Sequence, residues 1–250
     1  MDILVGILTS SNSEKLRRCI GSVLSQTTNV VVICNTPDIS YVEQAKTVAN
    51  DYGLKFVVTE SNGTPARGKN SVLDYFRTTD HQYFMQVDGD DELTSDCLEK
   101  LERIVKINPD VDVIGLTYNY MLYDGHETTA EEFFESKDIY SFAGIKGAHG
   151  IRLIQLGKFL ASNLVYNRML LYSRKCLDHL VFDEKFLGSE DVVASYKLFY
   201  NKEIQYVLTN EHLYIYHLEA GGNFNSFLSS SLEIKKVLGE LEKIVNGSQD

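Results

Sequence analysis

No stretch of this sequence is apolar for long enough to cross a bilayer. Its first residues, Met1 and Asp2 before a short apolar run at 3–8, lack the basic opening and long apolar centre of a secretory signal. Cysteine is scarce. The four present, Cys19, Cys34, Cys97 and Cys176, show no CxxC spacing and have no histidine at metal-ligand distance. The first three fall inside patterned helix or strand segments, where a buried thiol is the ordinary expectation. A reducing cytoplasm fits these features. Basic charge is also in deficit: 24 Lys and Arg stand against 35 Asp and Glu, a formal net charge of −11. A protein that grips phosphate backbones needs clustered basic charge, so nucleic acid is not expected as a main partner, although a modified base as acceptor stays open. No repeat or biased segment interrupts the chain. What remains is 250 residues with an ordinary hydrophobic fraction of 44%, enough for one large α/β domain.

The first half alternates two periods. Residues 3–8, 30–34, 54–58, 83–87 and 111–118 are short apolar runs of strand length. Between them apolar residues recur at helical spacing, as in Leu16, Cys19, Ile20, Val23 and Leu24, with Ser11 and Glu14 forming an expected capping box. Helices are likewise expected around 42–52, 70–77 and 95–107. This alternation predicts a parallel sheet with helices on both faces. Ligands of such sheets bind where the strands end, which directs attention to the loops at 9–12, 35–38 and 88–92. Beyond Tyr123 the pattern weakens, and 124–162 reads as an excursion from the core with a helix at 151–160. Strands at 164–172 and 213–217, and helices at 191–200 and 228–245, follow.

The sharpest feature is Asp88-Gly89-Asp90-Asp91, directly after an apolar strand. Three carboxylates in four residues repel one another unless a cation neutralises them. Oxygen-only ligands suit Mg²⁺ or Mn²⁺, which leave positions open for substrate phosphates. A solvated acidic turn is the plainer reading. Glu190-Asp191 opens a helix after Ser189, where carboxylates also serve the helix dipole and Ser189 would be the N-cap. Arg67 and Lys69 lie in a glycine-containing stretch after Asn62-Gly63 and are candidates to meet a diphosphate. His217 ends a predicted strand just before Gly221-Gly222.

The order and spacing of these pieces resemble the family 2 glycosyltransferases over most of the chain. Leu8-Thr9-Ser10-Ser11-Asn12, with Ser22 to Thr27, resembles that family's first strand and helix. Residues 31–35 resemble its second strand, with Asn35 where the family usually carries Asp. Residues 63–70 resemble its loop ending in Ala-Arg-Asn. Asp88-Gly89-Asp90-Asp91 matches its DxD element with a third Asp, and 182–191 its stretch ending in Glu-Asp.

The resemblance implies a GT-A fold, a Rossmann-like nucleotide-diphospho-sugar transferase α/β domain with a mostly parallel central sheet and helices on both faces. The whole chain, 1–250, would be one such domain, with a nucleotide-sugar-binding half at 1–123, an acceptor-binding half at 124–225 and a C-terminal helix at 226–250. A sugar would pass from a nucleotide-sugar donor, UDP-sugar favoured, to an acceptor hydroxyl with inversion. Asp90 and Asp91, with His217, would hold Mn²⁺ or Mg²⁺; Thr9, Asn35, Asp88 and either Arg67 or Lys69 would bind the donor. Glu190 and Asp191 would be catalytic, Asp191 as general base. The segment 219–225 would be a lid and 124–162 would select the acceptor. A nucleotidyltransferase acting on a sugar phosphate and a non-catalytic nucleotide-binding module are the other two readings. A convincing N-terminal glycine-rich phosphate loop with a basic residue, which the first of them needs, is missing from the sequence.

Overall fold

The structure, a computed structural model, describes residues 1–116, 120–129, 132–133, 136, 155–156, 158–159, 169–218 and 230–247. Its centre is a seven-stranded sheet of β1 (Ile3–Thr9), β2 (Val30–Cys34), β3 (Lys55–Val58), β4 (Tyr83–Asp88), β6 (Val113–Leu116), β9 (Met169–Ser173) and β10 (Tyr206–Thr209), in the order β10-β6-β9-β4-β1-β2-β3. All neighbours pair in parallel except β9, which runs antiparallel to both β4 and β6. A second sheet, in the order β5-β11-β7-β8, joins β5 (Glu92–Leu93), β7 (Tyr120–Tyr123), β8 (His126–Thr129) and β11 (Tyr214–Leu218).

Strand periodicity sorts the core into two layers. Val5, Ile7, Val32, Met85 and Val87 point to one face, where they meet α1 (Ser13–Leu24), α2 (Ile39–Asp51) and α4 (Cys97–Ile107). Leu4, Val31, Ile33 and Phe84 point to the other, against α3 (Pro65–Arg77) and α5 (Glu190–Phe199). The apolar back of α5, with Val192, Val193 and Tyr196, packs in turn on α6 (Ser231–Gly247) through Ile234, Val237 and Leu241. Because β4 alternates, Phe84, Gln86 and Asp88 share the α3–α5 face. That parity aims Asp88 at the same side of the sheet as Asp191.

Several expected boundaries shift for local reasons. Helix α1 is capped by Asn12, not Ser11: Asn12 Oδ1 accepts the N–H groups of Glu14 and Lys15. Helix α3 begins at Pro65 rather than near Asn70, because Thr64 Oγ1 caps it and Pro65 supplies a preset first-turn φ. Arg67 and Lys69 therefore sit on a helix and not in a loop. Strand β10 is additional to the sequence reading, and the expected strand at 213–217 lies in the second sheet. So does the β7–β8 hairpin, whose Asp124-Gly125 turn takes positive φ of 48° and 77° and whose strands register Tyr123 with His126. The expected helix at 151–160 and the 219–225 lid lie wholly or largely outside the described residues. Among those residues no helix is long and apolar enough to cross a membrane.

Candidate active site

Parallel pairing places three of the expected donor residues side by side. Thr9 pairs with Cys34 and Leu8 with Asp88, so Thr9, Asn35 and Asp88 end adjacent strands. The strand ends are tied by Asn35 N–H to the Thr9 carbonyl at 2.9 Å and by Gly89 N–H to the Leu8 carbonyl at 2.7 Å. Glycine at 89 follows from that closeness: a Cβ there would lie 3.0 Å from both the Leu8 oxygen and Thr9 Cβ. Thr9 Oγ1 is hydrogen-bonded to the Tyr41 hydroxyl, which burial pushes up to about 12. The Asn35 amide donates to Thr59 Oγ1 at 2.8 Å and to the Glu60 carbonyl at 3.1 Å, and Arg67 Nε donates to that same carbonyl at 3.3 Å. Thr9, Asn35 and Arg67 thus form one group at the carboxyl edge of β1 and β2.

The acidic turn is divided rather than clustered. Asp91 is fully buried, and both its carboxylate oxygens are occupied. Tyr214 Oη donates to Oδ2 at 2.7 Å and the His217 backbone N–H donates to Oδ1 at 2.9 Å. Tyr214 Oη also accepts the Asp88 N–H at 3.2 Å, so one buried tyrosine fixes both ends of the turn. Asp90 is exposed and Asp88 half-buried. Asp91, expected beside Asp90 as a ligand, is turned inward and fastens β11, while Asp90 faces the surface. Cys19 lies beneath this turn with its thiol on the Asp88 carbonyl at 3.5 Å, raised by burial first and by the surrounding carboxylates second.

His217 comes to the acidic turn, with its backbone on Asp91 and its ring on Glu92. Nε2 is 2.7 Å from Glu92 Oε1, a carboxylate oxygen that also forms an ion pair with the Arg18 guanidinium, 3.2 Å from Nε. Glu92 was missed in the sequence because its partner lies 125 residues away. Among the described residues, no three His, Cys, Asp or Glu groups gather as a ready-made metal cage.

Lys69 and Arg67 part company. Two positions along a helix turn side chains by about 200°, so Arg67 faces Glu60 while Lys69 faces the α5 N-terminus. Lys69 Nζ is 2.6 Å from Glu190 Oε1 and 3.1 Å from Asp191 Oδ2. Burial pushes the Glu190 carboxyl up, and the Lys69 charge pulls it back. Ser189 has φ 61° and makes no side-chain cap, so the capping role expected of it is not filled. Asp191 Oδ1 accepts the Val192 N–H at 2.8 Å instead. Lys69 and Asp191, with Gln86, Met169, Tyr172 and Phe182, line one small crevice.

The family model described as Glycosyl transferase family 2 matches residues 5–179 of this chain. Similar solved structures include S. aureus TarS 1-349 in complex with UDP-GlcNAc, at 17% identity and TM-score 0.63, covering 98% of this chain and 66% of that one. TarS 1-349 alone gives 15% identity and 0.60 over 98% and 81%, and its complex with UDP gives 17% and 0.56 over 98% and 71%. The chain spans just under two thirds of the first of these structures. No curated protein matches the sequence. The fold is thus the GT-A α/β fold expected from the motifs, with helices on both sides of a mixed central sheet.

Proposed function

This chain belongs to glycosyl transferase family 2, and from that premise we propose that it moves a sugar from a UDP-sugar to an acceptor hydroxyl with inversion. The observation that carries the reading is a half-buried carboxylate, Asp191, lining one crevice with Gln86, two residues before Asp88 on β4. Asp191 removes the proton of the acceptor hydroxyl as its oxygen attacks the anomeric carbon. The bond from that carbon to the diphosphate oxygen breaks on the opposite face, and the nucleoside diphosphate leaves. A single displacement inverts the configuration, whereas double displacement needs a nucleophile on the enzyme, by analogy with glycosidases.

Thr9, Asn35 and Arg67 receive the nucleoside. With its amide nitrogen occupied by Thr59 and Glu60, Asn35 offers an incoming base its carbonyl oxygen, an acceptor suited to an N–H edge such as that of uracil. The oxygen donors of Asp88 and Asp90 fit a Mn²⁺ or Mg²⁺ ion, the hard cations that combine one or two carboxylates with substrate phosphates. When bound, the ion neutralises charge on the departing diphosphate. Asp88 also reaches the ribose or sugar of the donor. The four free, buried cysteines suit a cytoplasmic setting.

The test is a screen of nucleotide sugars for slow donor hydrolysis and transfer, run with Asp191→Asn. Donor affinity is expected to stay within a few-fold while transfer falls by roughly a hundredfold or more, the scale for losing a general base. Near-normal turnover in the variant removes Asp191 as base. Nucleotide binding without turnover in the wild type returns the non-catalytic reading.

A further inference from the structure

The first turns of α3 and the loop before it are knitted to the segment that carries Asp191, across more than a hundred residues of sequence. Asn62 Nδ2 donates to Glu184 Oε2 at 2.6 Å. Asn70 clamps Phe182 reciprocally: its Nδ2 donates to the Phe182 carbonyl at 2.8 Å, and its Oδ1 accepts the Phe182 N–H at 3.0 Å. Between them, Lys69 reaches both carboxylates of the Glu190-Asp191 pair, with its ammonium 5.7 Å from the Phe182 ring centroid. Its side chain is only 10% exposed. A cation so enclosed, and already bonded to two carboxylates, is poorly placed to follow a diphosphate through binding and release.

We propose that Lys69 is a positioning residue for Asp191, and that Glu190 is the buried counter-charge that lets Lys69 do this. The proposal rests on Asp191 being the base. Asp191 has two inner contacts, Val192 N–H on Oδ1 and Lys69 on Oδ2. Together they fix the carboxylate plane and leave its remaining lone pairs for the acceptor side. Lys69 alone would carry an uncompensated charge into the interior, at a cost a protein avoids by pairing it. Glu190, 3% exposed, provides that pairing at the shorter of the two distances. Lys69 is thereby held on both sides and serves as a fixed donor to the working carboxylate. The division of labour also explains two adjacent acids: one is consumed in holding the lysine, the other remains half-exposed.

Because Lys69→Met alone strands Glu190, the decisive variant is Lys69→Met with Glu190→Gln, which removes both buried charges. Calorimetry with UDP and steady-state transfer are read together. UDP affinity is expected within about threefold of wild type, while kcat falls at least tenfold with little change in donor KM. Lys69→Arg, which keeps a donor for both acids, is expected to recover part of kcat. Parallel losses in UDP affinity and turnover would make Lys69 a donor ligand and overturn the proposal, as would unchanged kcat in the double variant. Crystal structures of wild type and double variant give a readout free of turnover: the Asp191 side chain is expected to rotate once Lys69 is gone. An unmoved Asp191 defeats the proposal whatever the wild type transfers, and a wild type inactive on every nucleotide sugar defeats the transferase reading without touching the rotamer result.

Discussion

Tyr214 Oη donates to Asp91 at 2.7 Å and accepts the backbone N–H of Asp88 at 3.2 Å, so a tyrosine on β11 sets the shape of the acidic turn after β4. The contact spans 123 residues and lies wholly in the interior. It makes the acidic turn a joint property of the loop after β4 and of strand β11.

Removing that hydroxyl is expected to be costly. Tyr214→Phe leaves a buried carboxylate oxygen without its donor, and hydrogen bonds to charged groups contribute about 1.5–3 kcal/mol each. Chemical denaturation should show a loss of that size. Binding of UDP with metal should weaken too, because the Asp88 N–H loses its acceptor. Unchanged stability would mean Asp91 finds another partner at no cost.

Metal dependence is expected to separate Asp90 from Asp91. Asp90→Asn should reproduce the effect of EDTA on UDP binding in calorimetry and should barely alter stability, since Asp90 is exposed. Asp91→Asn should lower the melting temperature as well, because its carboxylate fastens β11. If both variants lose only metal-dependent affinity, with melting unaffected, the two residues are equivalent ligands and the inward role of Asp91 is wrong.

His217→Ala is expected to reduce binding of nucleoside and nucleoside diphosphate by the same small factor. Its ring lies on Glu92, and its backbone N–H, which the substitution keeps, holds Asp91. A much larger loss for the diphosphate, greater in Mn²⁺ than in Mg²⁺, would restore the histidine as a metal or phosphate contact, since imidazole suits Mn²⁺ better.

Acid stability should report on Asp112, at the junction of β6, β9 and β10. Burial raises its carboxyl, but hydrogen bonds from Gln205 N–H, Ser173 Oγ and Lys175 Nζ outweigh that and hold it below the ordinary 3.8. A lowered carboxyl stabilises the fold above its unfolded value, and the contribution is lost as pH falls through the folded one. Asp112→Asn should therefore cost about 1–3 kcal/mol at pH 7, with the gap from wild type closing below pH 3.8. A gap that persists at pH 2 would assign the effect to packing.

The sequence by itself determined the elements whose signal is local. Apolar runs of strand length alternating with helical periods specified β1 to β4 and the helices between them, because burying one face of each element requires that spacing. The ends of those strands located Thr9, Asn35 and Asp88 for the same reason. Short-range chemistry can favour the wrong neighbour: the cap of α1 is Asn12 because its side chain, and not that of Ser11, reaches the first free N–H groups. The Asp124-Gly125 turn was a readable hairpin signal that the surrounding loss of period obscured. Only the tertiary structure decided what depends on partners distant in sequence. Arg67 and Lys69 are equivalent cations in a linear reading, and a helix starting at Pro65 sends them in opposite directions, one to Glu60 and one to Glu190 and Asp191. Asp90 and Asp91 are equally acidic in sequence, yet a tyrosine more than a hundred residues on buries one and leaves the other at the surface. Residue type carries the chemistry available to a position, while long-range packing selects which neighbour that chemistry meets.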